Sequence, residues 1–115
     1  MVRLTALLVR NPALTHEQFV KHWLGHHGPL VAGTPAVASR VRRYEQHLRV
    51  PQEWAGATEF DGMTVQWLDS VDDVVAFTLD PEYEAVKADE DYLLDRSKLV
   101  WMMSEVAATP IAGVI

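Results

Sequence analysis

The fold is restricted most by the stretch THEQFVKHWLGHHGPL, residues 15–30. Thr15 followed by Gln18 is a capping-box pattern, which predicts that a helix begins there. The pair Gly28-Pro29 predicts that this helix breaks or kinks just after residue 27, because proline lacks the amide hydrogen that a continuing helix needs. The stretch therefore predicts one amphipathic helix that is unusually rich in histidine.

An aromatic stripe runs along this predicted helix. Phe19, Trp23 and His27 are spaced four residues apart, and Leu30 or Val31 continues the series. Residues at this spacing share one face of a helix, so His27 is expected at the buried end of an aromatic wall. Histidine changes its charge near neutral pH, which makes this wall a candidate site for proton transfer.

Apolar alternation and turn signals predict four strands around this helix. The strands are expected at Val2–Arg10, Ser39–Val50, Gly62–Asp69 and Lys98–Ala107. Two segments between the strands show no hydrophobic period. We predict an irregular or short helical return at Leu30–Val37 and a loop at Pro51–Asp61.

A second helical region follows the third predicted strand. Ser70 with Asp73 predicts a capped helix, which Asp80-Pro81 interrupts, and Glu82–Asp95 continues as an acidic helix that we interpret as a solvated face. The resulting order, β-α-β-β-α-β, is the ferredoxin-like plan. We therefore expect an α+β fold in which two main helices cover one face of a four-stranded antiparallel sheet.

The second face of such a sheet remains uncovered. Alternation along the second strand predicts two sets of side chains, Val41, Arg43, Glu45 and His47 on one face and Arg42, Tyr44, Gln46 and Leu48 on the other. Apolar residues on the uncovered face would be exposed in a monomer. They predict a homodimer that packs sheet against sheet.

Composition narrows the class of protein. The 115 residues suffice for one domain, spanning residues 1–115, and the net charge of −6 argues against a nucleic-acid partner. Cysteine is absent, which excludes disulfides and thiolate chemistry. The apolar run that Asn11-Pro12 interrupts is too short for a signal peptide or a membrane span, so a cytoplasmic protein with no membrane partner is expected.

A cluster of basic residues is the local exception to the acidic composition. It comprises Arg40, Arg42, Arg43 and Arg49. We interpret it as a solvated strand edge or as a source of ion pairs between subunits, with phosphate or carboxylate binding as the alternative.

Short motifs along nearly the whole chain make it similar to the EthD-domain family of the dimeric α+β barrel group. These motifs are Trp23-x-x-x-His27-x-Pro29-Leu30, Arg43-Tyr44-x-Gln46, Asp61-Gly62, Asp69-Ser70, Asp89-Glu90 with Asp95, and Glu105. The resemblance implies a pocket between sheet and helices in each subunit, and it matches His27 to the characteristic histidine of the family. Many relatives carry a second histidine four residues after the strand tyrosine. Leu48 stands there in this chain, and the neighbouring His47 points to the opposite face, so it should not inherit that role.

The resemblance also restricts the expected chemistry. Related proteins act as cyclases, dehydratases or decarboxylases on aromatic polyketide-like substrates, and neighbouring families include small cofactor-free oxygenases. These relatives imply a cofactor-free enzyme of the lyase, cyclase or isomerase type. The alternatives are a cofactor-independent monooxygenase and a non-catalytic ligand-binding or accessory protein of a degradation pathway.

His27 and Tyr44 are the predicted catalytic residues. His27 would be the general acid/base, although a histidine at a helix end can instead donate to the free carbonyls there. Tyr44 would donate a hydrogen bond to a substrate carbonyl, or else it is a core tyrosine with its hydroxyl at the surface. The residues expected to bind a small hydrophobic or aromatic substrate are Phe19, Trp23, Gln46, Trp67 and Trp101.

No cofactor or metal is expected from the sequence. The chain has neither GxGxxG nor a Walker motif, which argues against nucleotide cofactors. His22 and His26 are four residues apart and could share a metal ion, but this site needs a third ligand and no carboxylate lies between them. An exposed pair that picks up adventitious metal is the preferred interpretation.

Overall fold

A four-stranded antiparallel sheet organises the computed structural model, which describes residues 1–51 and 58–114. The strands are β1 (Val2–Leu8), β2 (Val41–Leu48), β3 (Gly62–Leu68) and β4 (Val100–Ser104), in the order β2-β3-β1-β4. The predicted ferredoxin-like plan is confirmed. Residues 52–57 of the predicted loop lie outside the described residues.

The helices follow the predicted order with more subdivision. They are α1 (His16–His22), a π-helical turn (Trp23–His27), α2 (Gly28–Ala32), α3 (Pro35–Ala38), α4 (Val71–Leu79) and α5 (Tyr83–Leu93), with a 3₁₀ turn at Arg96–Lys98. Both predicted capping boxes are present, because the side chains of Gln18 and Asp73 accept from the amides of Thr15 and Ser70 at 2.9 and 3.2 Å.

Of the predicted break or kink at Gly28-Pro29, the break is wrong. The chain stays helical through Ala32, because the π-helical turn directs the amide of Gly28 to the carbonyl of Trp23, five residues earlier. A widened turn of this kind accommodates Pro29, which has no amide hydrogen to donate. His27 consequently lies inside a continuous helical segment and not at a helix end.

The side-chain arrangement predicted for the second strand is also wrong at its start. A bulge between Val41 and Arg43 shifts the register of β2 against β3. Because a bulge adds one residue to one strand only, it reverses the faces of the residues before it. Val41 therefore packs on the core together with Tyr44, whereas Arg43 lies on the opposite face.

The core fills the space between the helices and one face of the sheet, here called the inner face. One buried cluster is formed by Val2, Val31, Val37, Leu68, Phe77 and Val86, and a second by Leu8, Phe19, Trp23 and Leu93. The predicted stripe is confirmed, since Phe19 and Trp23 are fully buried and His27 is 6% exposed.

The opposite face, here called the outer face, has no helix of residues 1–51 or 58–114 against it. The strand pairing places Val100 and Met102 there, and both are more than half exposed. The ring of Trp67 lies on this face between the guanidinium groups of Arg3 and Arg43, at 5.0 and 5.7 Å from its centroid. Such contacts are cation–π interactions.

Asp61, which immediately precedes β3, joins the sheet to α1. Its side chain is fully buried and accepts from the Arg10 amide at 2.9 Å, from the Arg10 guanidinium at 2.8 Å and from His16 Nδ1 at 2.7 Å. Burial alone raises the pKa of the Asp61 carboxyl, but these hydrogen bonds outweigh burial, so its pKa lies below the usual value. Asp61 is therefore ionised at neutral pH and holds the first helix against β1.

Candidate functional site

A cavity of about 410 Å³ lies between the inner face of the sheet and the helices. This volume is in the range of small-molecule sites. Its polar wall includes His27, Tyr44, Gln66, Tyr83 and Glu90, and its apolar wall includes Trp23. The π-helical turn supplies His27, β2 supplies Tyr44 and α5 supplies Glu90.

His27 is bonded to a carboxylate and not to helix carbonyls. Its Nδ1 lies 2.7 Å from Oδ2 of Asp89, on α5, and both side chains are at most 10% exposed. The structural alternative for His27, donation to carbonyls at a helix end, is therefore not what this side chain does.

The charge of Asp89 determines the tautomer of His27. Burial raises the pKa of the Asp89 carboxyl, but hydrogen bonds from His22 and His27 outweigh burial and bring its pKa below the usual value. An ionised carboxylate can only accept hydrogen bonds, so Nδ1 of His27 must carry the hydrogen. In the neutral ring this leaves Nε2 with a free lone pair, which is what a general base requires.

Two further histidines surround the same carboxylate. His22 Nε2 lies 2.7 Å from Oδ1 of Asp89, and His26 Nε2 lies 3.6 Å from the same oxygen. The rings of His22 and His26 are 4.7 Å apart between centroids. Asp89 thus connects three histidines of one helical segment, with Oδ2 directed to His27 and Oδ1 to the other two.

A tyrosine pair and a glutamate form another polar part of the cavity wall. Tyr83 donates its hydroxyl to Glu90 at 2.8 Å. Burial and the negative charge of Glu90 raise the pKa of Tyr44, and the same two effects raise the pKa of Tyr83. Both phenols therefore remain protonated at neutral pH. Tyr44 can donate a hydrogen bond into the cavity, but it cannot act as a base there.

Two buried polar atoms have no hydrogen-bond partner among the described residues. They are Nε1 of Trp23, a donor, and Oε1 of Gln66, an acceptor, and both residues line the cavity. Leaving such atoms unpaired costs about 1–3 kcal/mol each. They are consistent with a cavity that receives a molecule with both acceptor and donor groups.

Of the seven site residues predicted from the sequence, the structure brings four to the cavity wall. These four are His27, Tyr44, Trp23 and Trp101, of which Trp101 is 62% exposed and lies at the rim. Phe19 stacks on Trp23 with ring centroids 5.3 Å apart, and Gln46 donates to the Trp23 carbonyl at 2.9 Å. Phe19 and Gln46 thus hold Trp23 in place without lining the cavity themselves.

The structure does not bring Trp67 to this site. The alternation of β3 places Gln66 on the inner face and Trp67 on the outer face, where the two arginines enclose it. The residues of β3 that reach the cavity are therefore Thr64 and Gln66, both of which sequence reasoning missed.

Sequence reasoning also missed Asp89 and Glu90. The acidic helix was expected to be a solvated face, but these two side chains are only 10% and 18% exposed and meet His27 and Tyr83. Within the sequence, the only signal was the Asp89-Glu90 pair in the family motif. The interpretation of the acidic segment as solvated is therefore wrong at these two positions.

The arginine cluster is satisfied within the chain. Arg42 pairs with Asp69 and Arg43 with Glu45, each at 2.6 Å, and Arg40 donates to the Ala36 carbonyl at 2.7 Å. Arg49 lies 3.7 Å from the buried Asp61. The solvated-edge interpretation accounts for Arg42 and Arg43.

Comparison with known families gives the assignment. The family model described as the EthD domain matches residues 11–97, which include α1, the His27–Asp89 pair and Tyr44. The chain belongs to the EthD-domain family. None of the curated proteins compared with it gives a significant match.

Solved structures share the fold of this EthD-domain protein. An ethyl tert-butyl ether D (EthD) family protein from Bacillus halodurans aligns over 92% of this chain and 98% of its own, with 22% identity and a TM-score of 0.71. A dimeric protein of unknown function with a ferredoxin-like fold from Bacteroides fragilis aligns over 91% and 95%, with 18% identity and a TM-score of 0.68. A hydroxynitrile lyase from Passiflora edulis aligns over 95% and 96%, with 14% identity and a TM-score of 0.70.

None of the helices in the described part of the chain has both the length and the apolar character needed to cross a membrane.

Proposed function

We propose that the cavity is the active site of an acid/base catalyst that needs no organic cofactor and acts on a small aromatic or polyketide-like carbonyl compound. The observation that carries the proposal is the His27–Asp89 pair in the cavity wall, at 2.7 Å. A buried carboxylate that accepts from one ring nitrogen orients the imidazole and stabilises the imidazolium that forms when the other nitrogen takes a proton.

The proposed reaction is a dehydration, cyclisation or isomerisation. Nε2 of His27 removes a proton from a carbon beside the substrate carbonyl, and Asp89 stabilises the resulting imidazolium. Tyr44 donates a hydrogen bond to the carbonyl oxygen, on which negative charge develops. The imidazolium then returns the proton to the departing hydroxyl in a dehydration, or to another carbon in an isomerisation, and this step restores the starting enzyme.

The other cavity residues bind and enclose the substrate. Trp23 provides a flat apolar wall, and Trp101 lies at the rim of the cavity. An apolar wall of this kind excludes water and strengthens the electrostatic interactions of the polar residues. A hydroxynitrile lyase with the same fold supports lyase chemistry on this scaffold.

We also propose that the protein is a homodimer that packs through the outer face and resides in the cytoplasm. Exposed apolar side chains on the outer face, among them Val100 and Met102, support the dimer. So do two solved relatives described as dimeric, from Bacteroides fragilis and Thermobifida fusca.

A substrate screen tests the function. Small aromatic and polyketide-like carbonyl compounds are screened for binding by ligand-observed NMR, and each compound that binds is followed for turnover. We expect His27→Gln to abolish turnover and retain binding, whereas the matched control His47→Gln, on the outer face, leaves both unchanged.

Three outcomes of the screen would contradict the proposal. Tight binding without turnover in the unmodified protein would indicate a ligand carrier, and turnover that consumes oxygen would indicate a monooxygenase. Unchanged turnover in His27→Gln would exclude His27 as the acid/base.

A further inference from the structure

His22, His26 and Asp89 offer one ligand atom each, and these three atoms lie within 4.8 Å of one another. His22 ends α1, His26 lies in the π-helical turn, and Asp89 comes from α5. Two imidazoles and one carboxylate, with a further position open to solvent, form a ligand set that suits zinc and the neighbouring divalent transition metals. Asp89 supplies the third ligand that the sequence between the histidines lacks.

We propose that His22 Nε2, His26 Nε2 and Asp89 Oδ1 form a binding site for a divalent transition-metal ion, with zinc as the reference ion. The site is separate from the substrate cavity, since neither His22 nor His26 belongs to the cavity wall. The ion takes no step in the proposed reaction, but its site shares Asp89 with His27.

The distances allow an ion after small movements. Ligands at about 2.0–2.2 Å from a tetrahedral ion are separated by roughly 3.3–3.5 Å. His26 Nε2 is already 3.6 Å from Oδ1 of Asp89, whereas His22 Nε2, at 2.7 Å, holds a hydrogen bond to this oxygen. An entering ion replaces the hydrogen of that bond, and His22 must draw back by roughly 0.6–0.8 Å to reach such a separation.

Solvent access and the packing of neighbouring side chains both favour an ion at these three residues. The side chain of His26 is 61% exposed and that of His22 26% exposed, so an ion can enter from solvent. The ring of Tyr92 packs 4.8 Å from that of His22 and restricts its orientation. Asp89 can keep Oδ2 on His27 while Oδ1 binds the ion, so His27 becomes the outer-shell donor that ligating carboxylates commonly have.

Direct metal binding tests the proposal. Zinc chloride is titrated into untagged protein by calorimetry, and cobalt(II) is added separately so that its visible absorption reports the coordination number. We expect one ion per chain with a tetrahedral or five-coordinate spectrum. His26→Ala and His22→Ala are each expected to weaken binding at least about tenfold. The control His47→Ala removes an exposed histidine elsewhere and leaves binding unchanged.

The choice of variants distinguishes loss of the metal site from loss of the fold. His26 is mostly exposed, so His26→Ala retains the fold even if Asp89→Asn does not. Zinc binding that persists in both His22→Ala and His26→Ala indicates an adventitious ion only and overturns the proposal. An absence of saturable binding in the unmodified protein also overturns it. Substrate turnover is not measured, so either result leaves the acid/base proposal to its own test.

Discussion

Oδ2 of Asp89 lies 2.7 Å from Nδ1 of His27, although the two residues are 62 positions apart in the chain. Together with the bond from His22 to the same carboxylate, this contact joins the first helical segment to α5, and it fixes the orientation of the imidazole beside the cavity. It also accounts for a buried acidic residue on a helix that otherwise resembles a solvated surface.

The tautomer of His27 provides a prediction that needs no substrate. Nitrogen NMR of the histidine side chains at neutral to mildly alkaline pH should show His27 as the Nδ1–H tautomer, since ionised Asp89 can only accept. In Asp89→Asn this preference should weaken, because an amide can donate as well as accept. The signals of His47, which is bonded to Glu45, are the internal control. An Nε2–H tautomer for His27 in the unmodified protein would exclude the proposed base.

Asp89→Asn should also slow turnover of any substrate that the screen identifies. The carboxylate stabilises the imidazolium that forms during proton transfer, so the variant should lose roughly 10²-fold in kcat. KM should change little, since Asp89 is not part of the cavity wall. Equal losses in binding and in kcat would instead indicate a collapsed cavity.

Tyr44→Phe should weaken the binding of carbonyl compounds by up to about tenfold, the equivalent of one hydrogen bond. Burial and the charge of Glu90 raise the pKa of Tyr44. The phenol therefore stays protonated even at pH values somewhat above the ordinary pKa of tyrosine. The effect of the variant should therefore be the same at pH 7 and pH 9. Tyr92→Phe, on an exposed tyrosine, is the matched control. If the difference in affinity between Tyr44→Phe and the unmodified protein disappeared by pH 9, the raised pKa would be contradicted.

Asp61→Asn should destabilise the protein by roughly 2 kcal/mol at pH 7, because it removes a buried charge that Arg10 and His16 contact. The pKa of Asp61 is lowered in the folded state, so its contribution to stability is present above the unfolded pKa and is lost as pH falls through the folded one. The stability difference between the two proteins should accordingly shrink below about pH 4. Urea unfolding of both proteins at pH 7 and at pH 3 measures this difference. A stability difference that grows as the pH falls would contradict the lowered pKa of Asp61.

Replacing either of two glycines with alanine is expected to change stability in opposite directions. A Cβ at Gly62 would lie 2.8 Å from the ring of Trp23, whereas a Cβ at Gly25 would have no atom within 4 Å. Gly62→Ala should destabilise by about 1–3 kcal/mol and reduce ligand binding, because Trp23 must move in the cavity wall. Gly25→Ala should stabilise by about 0.5–1 kcal/mol through helix propensity. Thermal unfolding measures the stability of both variants. An unchanged stability in Gly62→Ala would show that Trp23 has room to move.

The proposed dimer predicts that Met102→Glu, at a side chain 62% exposed on the outer face, yields a monomer. Placing a charge in an apolar interface between sheets costs more than such an interface can offset. Leu79→Glu, at an exposed apolar residue that ends α4, should leave the mass unchanged. Light scattering after size exclusion reads the mass, and a monomeric unmodified protein would contradict the dimer.

The amino-acid sequence by itself determined the local features. The capping boxes at Thr15 and Ser70, the stripe through Trp23 and His27, and the order of strands and helices all depend on residues within a few positions of each other. Local spacing determines such features because helical and strand periodicity fix which side chains share a face.

Only the tertiary structure decided what these local features meet. The bonds of Asp89 to His27 and His22 span 62 and 67 residues, and that of Asp61 to His16 spans 45. The bulge in β2, which moves Val41 to the inner face, depends likewise on pairing with β3. Periodicity places a side chain on a face of its own element, but the packing of two elements selects the partner that it meets there, and this packing is a property of the whole fold.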